Sequence, residues 1–390
     1  MSSTVATGLP GPQITQGAVN NGPVPFRRAT TERADQVVFD TLTQTTARQQ
    51  LERQIEGSGF LYALMLRVIC TTAGNAATVA FAEDAPWTAL DSIVLRDANG
   101  EIVNLGGYDL YISNLVNRQY AVRYQDQSAS TYLNNLVSGV GAGLGGSFAF
   151  VARVPVGLNR RSLRGILGNQ DRAQKYQLRT DLGASTSVYT TSPTTLGSIT
   201  VERYYENYSV PSAMSPIGAP QQVLPSDYGT VHFSTAVTSE SAPSASSKIN
   251  HYLKRIGNTI RWIALIFRAG SGTTPRATAE ASPPTNIRVK LGEDATFNET
   301  YQYRRALMFE RFGFDMPSGV LVYDTMHDFA AAAGFEVGDD YWHTQSLVNA
   351  QFEITYPSAF TAGSSLRIVT DDLIYVPPII GGQASPGGTR

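Results

Sequence analysis

A succession of short, β-rich runs that begins twice restricts this chain more than any other feature. In the first half they lie near 36–42, 60–70, 77–81, 92–97, 101–105, 147–156, 176–182 and 198–208. In the second they lie near 230–237, 259–268, 286–292, 319–325, 348–357 and 365–377. Runs of this length rich in Val, Ile, Thr, Tyr and Phe, broken by Gly, Pro, Asn and Asp, read as strands. Asn99-Gly100 between two of them is a hairpin signal, because both central residues of such a turn need φ > 0. One helix is expected, at 298–313, with an apolar face of Tyr303, Ala306, Leu307 and Phe309 and a stop at Gly313. Residues 108–124 read as a short helix or an ordered loop.

The halves correspond in order rather than in letters. Each has a long apolar strand ending near an Arg (60–70; 259–268), a second apolar strand, a helical or loop segment and two closing strands. About eight strands per half suit an antiparallel sandwich of the jelly-roll kind. The expected division is a flexible arm at 1–34, a first roll at 35–210, a Pro-rich linker at 211–228, a second roll at 229–378 and a flexible tail at 379–390. The arm and tail are rich in Gly, Pro, Ser, Thr and Gln, a composition that cannot bury a core of its own.

Composition narrows the function classes. Hydrophobic residues make up 42% and charged residues 16% of 390, with a net charge of −2. A dedicated nucleic-acid binder usually carries a basic excess, so sequence-specific nucleic-acid binding is not expected. The single cysteine, Cys70, allows no internal disulfide and no Cys-based zinc site. It reads as a small buried apolar residue. No signal peptide is visible. The longest apolar runs, 60–70 and 260–268, contain Arg and are too short to cross a membrane as helices.

Candidate chemistry is sparse. Gly141, Gly143 and Gly146 form a G-x-G-x-x-G, but a β-rich run follows where a dinucleotide loop needs a helix N-terminus to supply N–H donors. Its expected role is a turn that feeds a strand. The four histidines, His232, His251, His327 and His343, show no metal-ligand spacing. Asp324, His327 and Asp328 read as a surface turn, and Asp371 and Asp372 lack the further oxygens a calcium loop requires. Trp262 lies in an expected core strand. No catalytic residue, cofactor or metal is expected. The basic stretch around Arg160, Arg161 and Arg164 has no aromatic residues for base stacking and reads as a loop that contacts another subunit.

The stretch "GSFAFVARVPVGLNRRSLRGILGNQDRAQKYQLRTDLG" (146–183) resembles the double jelly-roll major capsid proteins of the tectiviruses, tailless phages with an internal membrane, in the lineage that includes adenovirus hexon. The resemblance lies in the order: a β-rich run, Val154-Pro155, a polar turn, Leu163-x-Gly165-x-Leu167 and an alternating strand. Residues 92–114, 204–233 (with Leu224-Pro225) and 300–324 are similar to the family's strand–turn–strand, junction between rolls and Arg-rich helix. The resemblance implies an all-β chain of two consecutive eight-stranded antiparallel jelly rolls with a few short helices in loops. It implies homotrimers with six rolls and a pseudo-hexagonal outline, tiling an icosahedral virion shell around an internal membrane and double-stranded DNA. The partners implied are further copies, minor capsid and vertex proteins, and the membrane at the termini, with assembly in the host cytoplasm. A jelly-roll penton or spike protein that binds a receptor, and a two-domain β-sandwich lectin or glycan-active enzyme, are the alternatives.

Overall fold

The structure, a computed structural model, describes residues 22–57, 59–72, 78–117, 135–136, 145–158, 160, 163–170, 176–225, 228–269, 276–292, 294–325, 341–345, 347, 349–360 and 363–375. The first half contains β1 (Glu32–Thr43), β2 (Gln49–Gln54), β3 (Gly59–Thr71), β4 (Ala80–Phe81), β5 (Leu90–Arg96), β6 (Glu101–Leu105), β7 (Asn135–Leu136), β8 (Phe148–Val154), β9 (Leu167–Asn169), β10 (Gln177–Leu182), β11 (Tyr189–Thr191) and β12 (Ser198–Tyr208). Its helices are α1 (Phe26–Ala29), α2 (Gly107–Val116) and α3 (Ser185–Val188). One sheet runs β1-β12-β3-β8, extended by β7, and the strands β2-β10-β5-β6 lie side by side in another. Lettering the eight long strands B to I in chain order gives B-I-D-G and C-H-E-F, all antiparallel.

The second half repeats this. It contains β13 (Thr230–Thr238), β14 (Lys248–Tyr252), β15 (Thr259–Arg268), β16 (Asn286–Leu291), β17 (Asp294–Glu299), β18 (Val320–Asp324), β19 (Trp342–His343), β20 (Ala350–Thr355) and β21 (Ser365–Tyr375), with α4 (Arg276–Ala281) and α5 (Tyr301–Phe312). The strand orders are β13-β21-β15-β18 and β14-β20-β16-β17, again B-I-D-G and C-H-E-F. In both halves a helix follows strand F. The halves meet where β6 runs parallel to β13, Val103 beside Ser234 and Asn104 beside Thr235. The C-H-E-F sheet of the first half thereby continues into the B-I-D-G sheet of the second.

Two clusters hold β3, whose side-chain alternation is shifted by a bulge at Tyr62. On β3, Leu64, Leu66, Val68 and Cys70 enter the main core, while Phe60 and Tyr62 join a smaller cluster with Phe26, Leu163 and Tyr208. The main core is continuous and takes residues from both halves, Trp262 among them. The Asp97–Gly100 hairpin forms, but Gly100 has positive φ and Asn99 does not, and Asp97 Oδ1 holds the turn by accepting from the N–H groups of Asn99 (2.7 Å) and Gly100 (2.9 Å).

Several expectations are corrected. Of the run at 77–81, residue 77 lies outside the described residues and Ala80–Phe81 form a strand. The segment at 108–124 begins as the helix α2, and residues 118–134 lie outside the described residues. The expected helix at 298–313 begins later, with Thr300 as N-cap, because Asp294–Glu299 form strand F. Its buried face is Tyr301, Arg304, Met308 and Phe312, and Tyr303 and Phe309 point outward. Arg304 is accepted inside because Glu299 pairs with it (2.6 Å). Strands β2, β14 and β17 were not expected. Among the described residues each has one lateral neighbour, and edge strands are short and polar, so their alternation is weak.

The arm is also corrected over its described part, residues 22–34. Phe26 is buried, its ring edge-on to Phe60 at 5.2 Å. The Val24 N–H donates to the Pro220 carbonyl (2.8 Å) and Gln222 N–H to the Val24 carbonyl (3.0 Å). Strand β1 then starts at Glu32. One aromatic residue and backbone partners from the Pro-rich segment suffice to seat a stretch whose average composition is polar. Residues 1–21 and 376–390 lie outside the described residues.

Candidate assembly surfaces

Two groups of polar contacts cross between the halves. Asp109, the third residue of α2, accepts the Gly106 N–H (2.8 Å), which satisfies one of the free donors at the start of that helix. The same carboxylate takes Arg367 Nε of β21 at 2.8 and 2.7 Å. Asp84 of the first half holds Arg276 of α4 (2.6 Å) and Arg268 of β15. The Arg276 guanidinium also lies 4.4 Å from the centre of the Tyr108 ring, a cation–π contact. Partners this distant in sequence leave no local signal, and sequence reasoning missed all of them.

Asp371 and Asp372, adjacent on β21, point to opposite faces and are both fully buried. Burial acts to raise the Asp371 carboxyl, but Arg261 (2.5 Å) and His232 (2.8 Å) beside it hold it below the usual range. At Asp372 burial wins and its pKa is raised, although Arg255 lies 3.1 Å away. His232 Nδ1 faces the Val156 carbonyl of the first half at 3.0 Å. His251 sits between Ser239 and Tyr356, each 2.7 Å away, and burial lowers its pKa to about 4. These residues are structural ties, each satisfied by fixed neighbours.

The other flagged residues fall as follows. Gly141 and Gly143 lie outside the described residues, with the rest of 137–144. Gly145 and Gly146 accept from Thr72 Oγ1 (2.8 Å) and Tyr189 Oη (2.6 Å) through their carbonyls, and strand β8 follows. The run therefore leads into a strand, and no helix N-terminus follows to hold a phosphate. Burial pushes the Cys70 thiol up to about 12, which leaves it inert as a nucleophile. His327 and Asp328 lie outside the described residues, and His343 is exposed on β19. Among the described residues, no three His, Cys, Asp or Glu side chains gather closely enough to hold a metal ion.

Arg160 bridges Glu32 of β1 and Glu206 of β12 at 2.9 Å each, with its side chain still 47% exposed. The Arg164 carbonyl accepts the Leu158 N–H (2.9 Å), which closes the turn, and Arg161 lies outside the described residues. The structure thus gives Arg160 a role in pinning the base of the arm, a role the sequence did not suggest. Exposed large apolar side chains lie elsewhere, among them Met214 and Ile217 on the Pro-rich segment, Tyr252 on β14, and Tyr303 and Phe309 on α5.

No family model and no curated protein matches the sequence. Solved structures do. The crystal structure of the major capsid protein of Sulfolobus turreted icosahedral virus aligns with a TM-score of 0.61 at 10% identity, over 88% of this chain and 97% of that one. The capsid protein in the quasi-atomic model of PBCV-1 virus aligns at 0.59 and 12% identity, over 88% and 93%. The Faustovirus major capsid protein aligns at 0.50 and 8% identity, over 92% of each chain. This chain is a double jelly roll. The likeness spans both rolls, and the repeated B-I-D-G and C-H-E-F orders account for it strand by strand. In this double jelly roll, Asp84 and Asp109 of the first roll pair with arginines of the second, and His232 of the second faces the Val156 carbonyl of the first.

Proposed function

We propose that the chain is the major capsid protein of an icosahedral virus and works by self-assembly, without catalysis. One observation carries the proposal: two complete rolls of the same topology, side by side in one chain, match capsid proteins over nearly their whole length. A pair of equivalent blocks is what a lattice of repeated contacts needs. Three copies supply six rolls, so a homotrimer presents a pseudo-hexagonal tile. We take the first roll as 35–210 and the second as 229–378, on either side of 211–228. The loop of Arg160, Arg161 and Arg164 is proposed to face a neighbouring copy. The shell encloses an internal membrane and double-stranded DNA, with the termini touching the membrane and minor and vertex proteins completing the virion, which assembles in the host cytoplasm.

Light scattering on the purified chain tests this. The expected species has three times the 42.1 kDa of one chain, with a hexagonal outline in electron micrographs. A monomer at every concentration would contradict the proposal.

A further inference from the structure

The outward face of the second roll's C-H-E-F sheet carries more positive charge than its fold requires. Residues opposite one another on neighbouring strands share a face of the sheet. Ile249, Phe352, Ile354, Ile287 and Val289 turn inward to the core. The residues that alternate with them face out in three rungs: Lys248 with Thr355 and Asn286, Asn250 with Glu353 and Arg288, and Tyr252 with Gln351 and Lys290.

Three cations converge there on one carboxylate. Glu353 is met by Lys248 at 2.8 Å, Lys290 at 2.9 Å and Arg288 at 3.1 Å. Hydrogen bonding from Lys248 outweighs burial and, with that from Lys290, lowers the Glu353 pKa to about 2. Glu353 is therefore ionised at neutral pH and cancels one of the three charges. Lys248 remains 54% exposed and Arg288 35%. The chain as a whole has four lysines and a net charge of −2, yet two of the four stand on this one face. On the equivalent face of the first roll, each arginine has its own carboxylate: Arg179 pairs with Asp181 at 3.1 Å and Arg96 with Glu52 at 2.5 Å.

The rest of the face is amide and phenol. Asn250 is exposed, Asn286 donates to Asn298 of β17 (3.0 Å), and Tyr252 is 57% exposed. An amide sets a donor beside an acceptor, which suits a pair of sugar hydroxyls. A phenol offers an apolar ring face with a polar tip. Four strands and three rungs give a flat area roughly 14 Å on each side, room for a short run of sugar rings. The face has one exposed aromatic residue, whereas a nucleic-acid strand stacks on several in succession.

We infer that this face binds an acidic oligosaccharide, with its sulfate or carboxylate groups against Lys248, Arg288 and Lys290 and one of its rings on Tyr252. Charge complementarity sets the sign of the ligand, and the amides and the phenol set its class. The inference goes beyond the capsid reading and does not depend on it. On a shell of many copies the site recurs, and weak single contacts add up by avidity.

Calorimetric titration of the full chain with a heparin-derived octasaccharide tests this. Wild-type protein should bind at low salt and lose affinity as salt is raised. Lys248→Gln/Lys290→Gln, which leaves Glu353 its Arg288 partner, should weaken binding about tenfold or more. Asn250→Ala/Tyr252→Ala, altered only at exposed positions, should weaken it about fivefold with an unchanged melting temperature. Arg96→Gln, on the equivalent face of the first roll, should bind as the wild type does. Absence of binding, or a folded variant of the face that binds as tightly as wild type, overturns the inference. Tripolyphosphate or oligo(dT) bound as tightly as the octasaccharide also overturns it, because a general anion site needs neither Asn250 nor Tyr252. Each of these failures leaves the capsid reading standing, since that reading is decided by the mass of the wild-type assembly.

Discussion

At the scale of single residues, this protein is held by buried charges that each have a fixed partner. Removing one partner while leaving the other buried is costly. Asp371→Asn strips Arg261 of its counter-charge, and we expect a loss of roughly 3–5 kcal/mol in denaturant unfolding. His251 adds a pH dependence. Its pKa is about 4 in the fold against 6.5 ordinarily, so the unfolded chain takes up the proton first. The contribution is full above pH 6.5 and is lost as pH falls towards about 4, roughly 3 kcal/mol in all. Unfolding measured across that window should show the slope, and His251→Gln should flatten it. None of these pairings was legible beforehand. Asp371-Asp372 in the expected strand 365–377 gives no sign of its partners until Arg261 and Arg255 are known to lie beside it.

Elements were legible in proportion to how many neighbours they have. β3 and β15, in the middle of their sheets, announce themselves as long apolar runs. β2, with the sequence QQLERQ, lies at an edge and carries one apolar residue. The helix α5 was foreseen by its stop, Gly313, which takes φ 71°, a left-handed C-cap. Its inward face was not, because apolar residues lie on both sides and only the sheet beneath decides. Two substitutions probe elements directly. Phe26→Ala removes the plug that seats α1 against Phe60 and Tyr208, and trypsin should then cut quickly after Arg27 or Arg28 while the rest of the chain resists. Gly165 has φ +81°, and an added Cβ would lie 2.7 Å from the Val156 carbonyl. Gly165→Ala should lower stability by over about 2 kcal/mol in urea unfolding.

At the scale of the whole molecule, the two rolls are one structure. They share a sheet through β6 and β13, a continuous core, and the Asp84 and Asp109 seam. Calorimetry on the full chain should therefore show one transition rather than two. Two resolved transitions would mean that the seam contributes little.

The sequence by itself determined the class and the count. Apolar runs alternating with turn residues demand strands, and their repetition in order demands two similar units, because strand formation and turn formation are local preferences of the residues concerned. Only the tertiary structure decided which strands lie together, where the edges fall, which face of α5 is buried and which carboxylates hold which arginines. Those are relations between residues up to 258 positions apart, as Asp109 and Arg367 are, and a local pattern carries no record of a partner that only folding brings near.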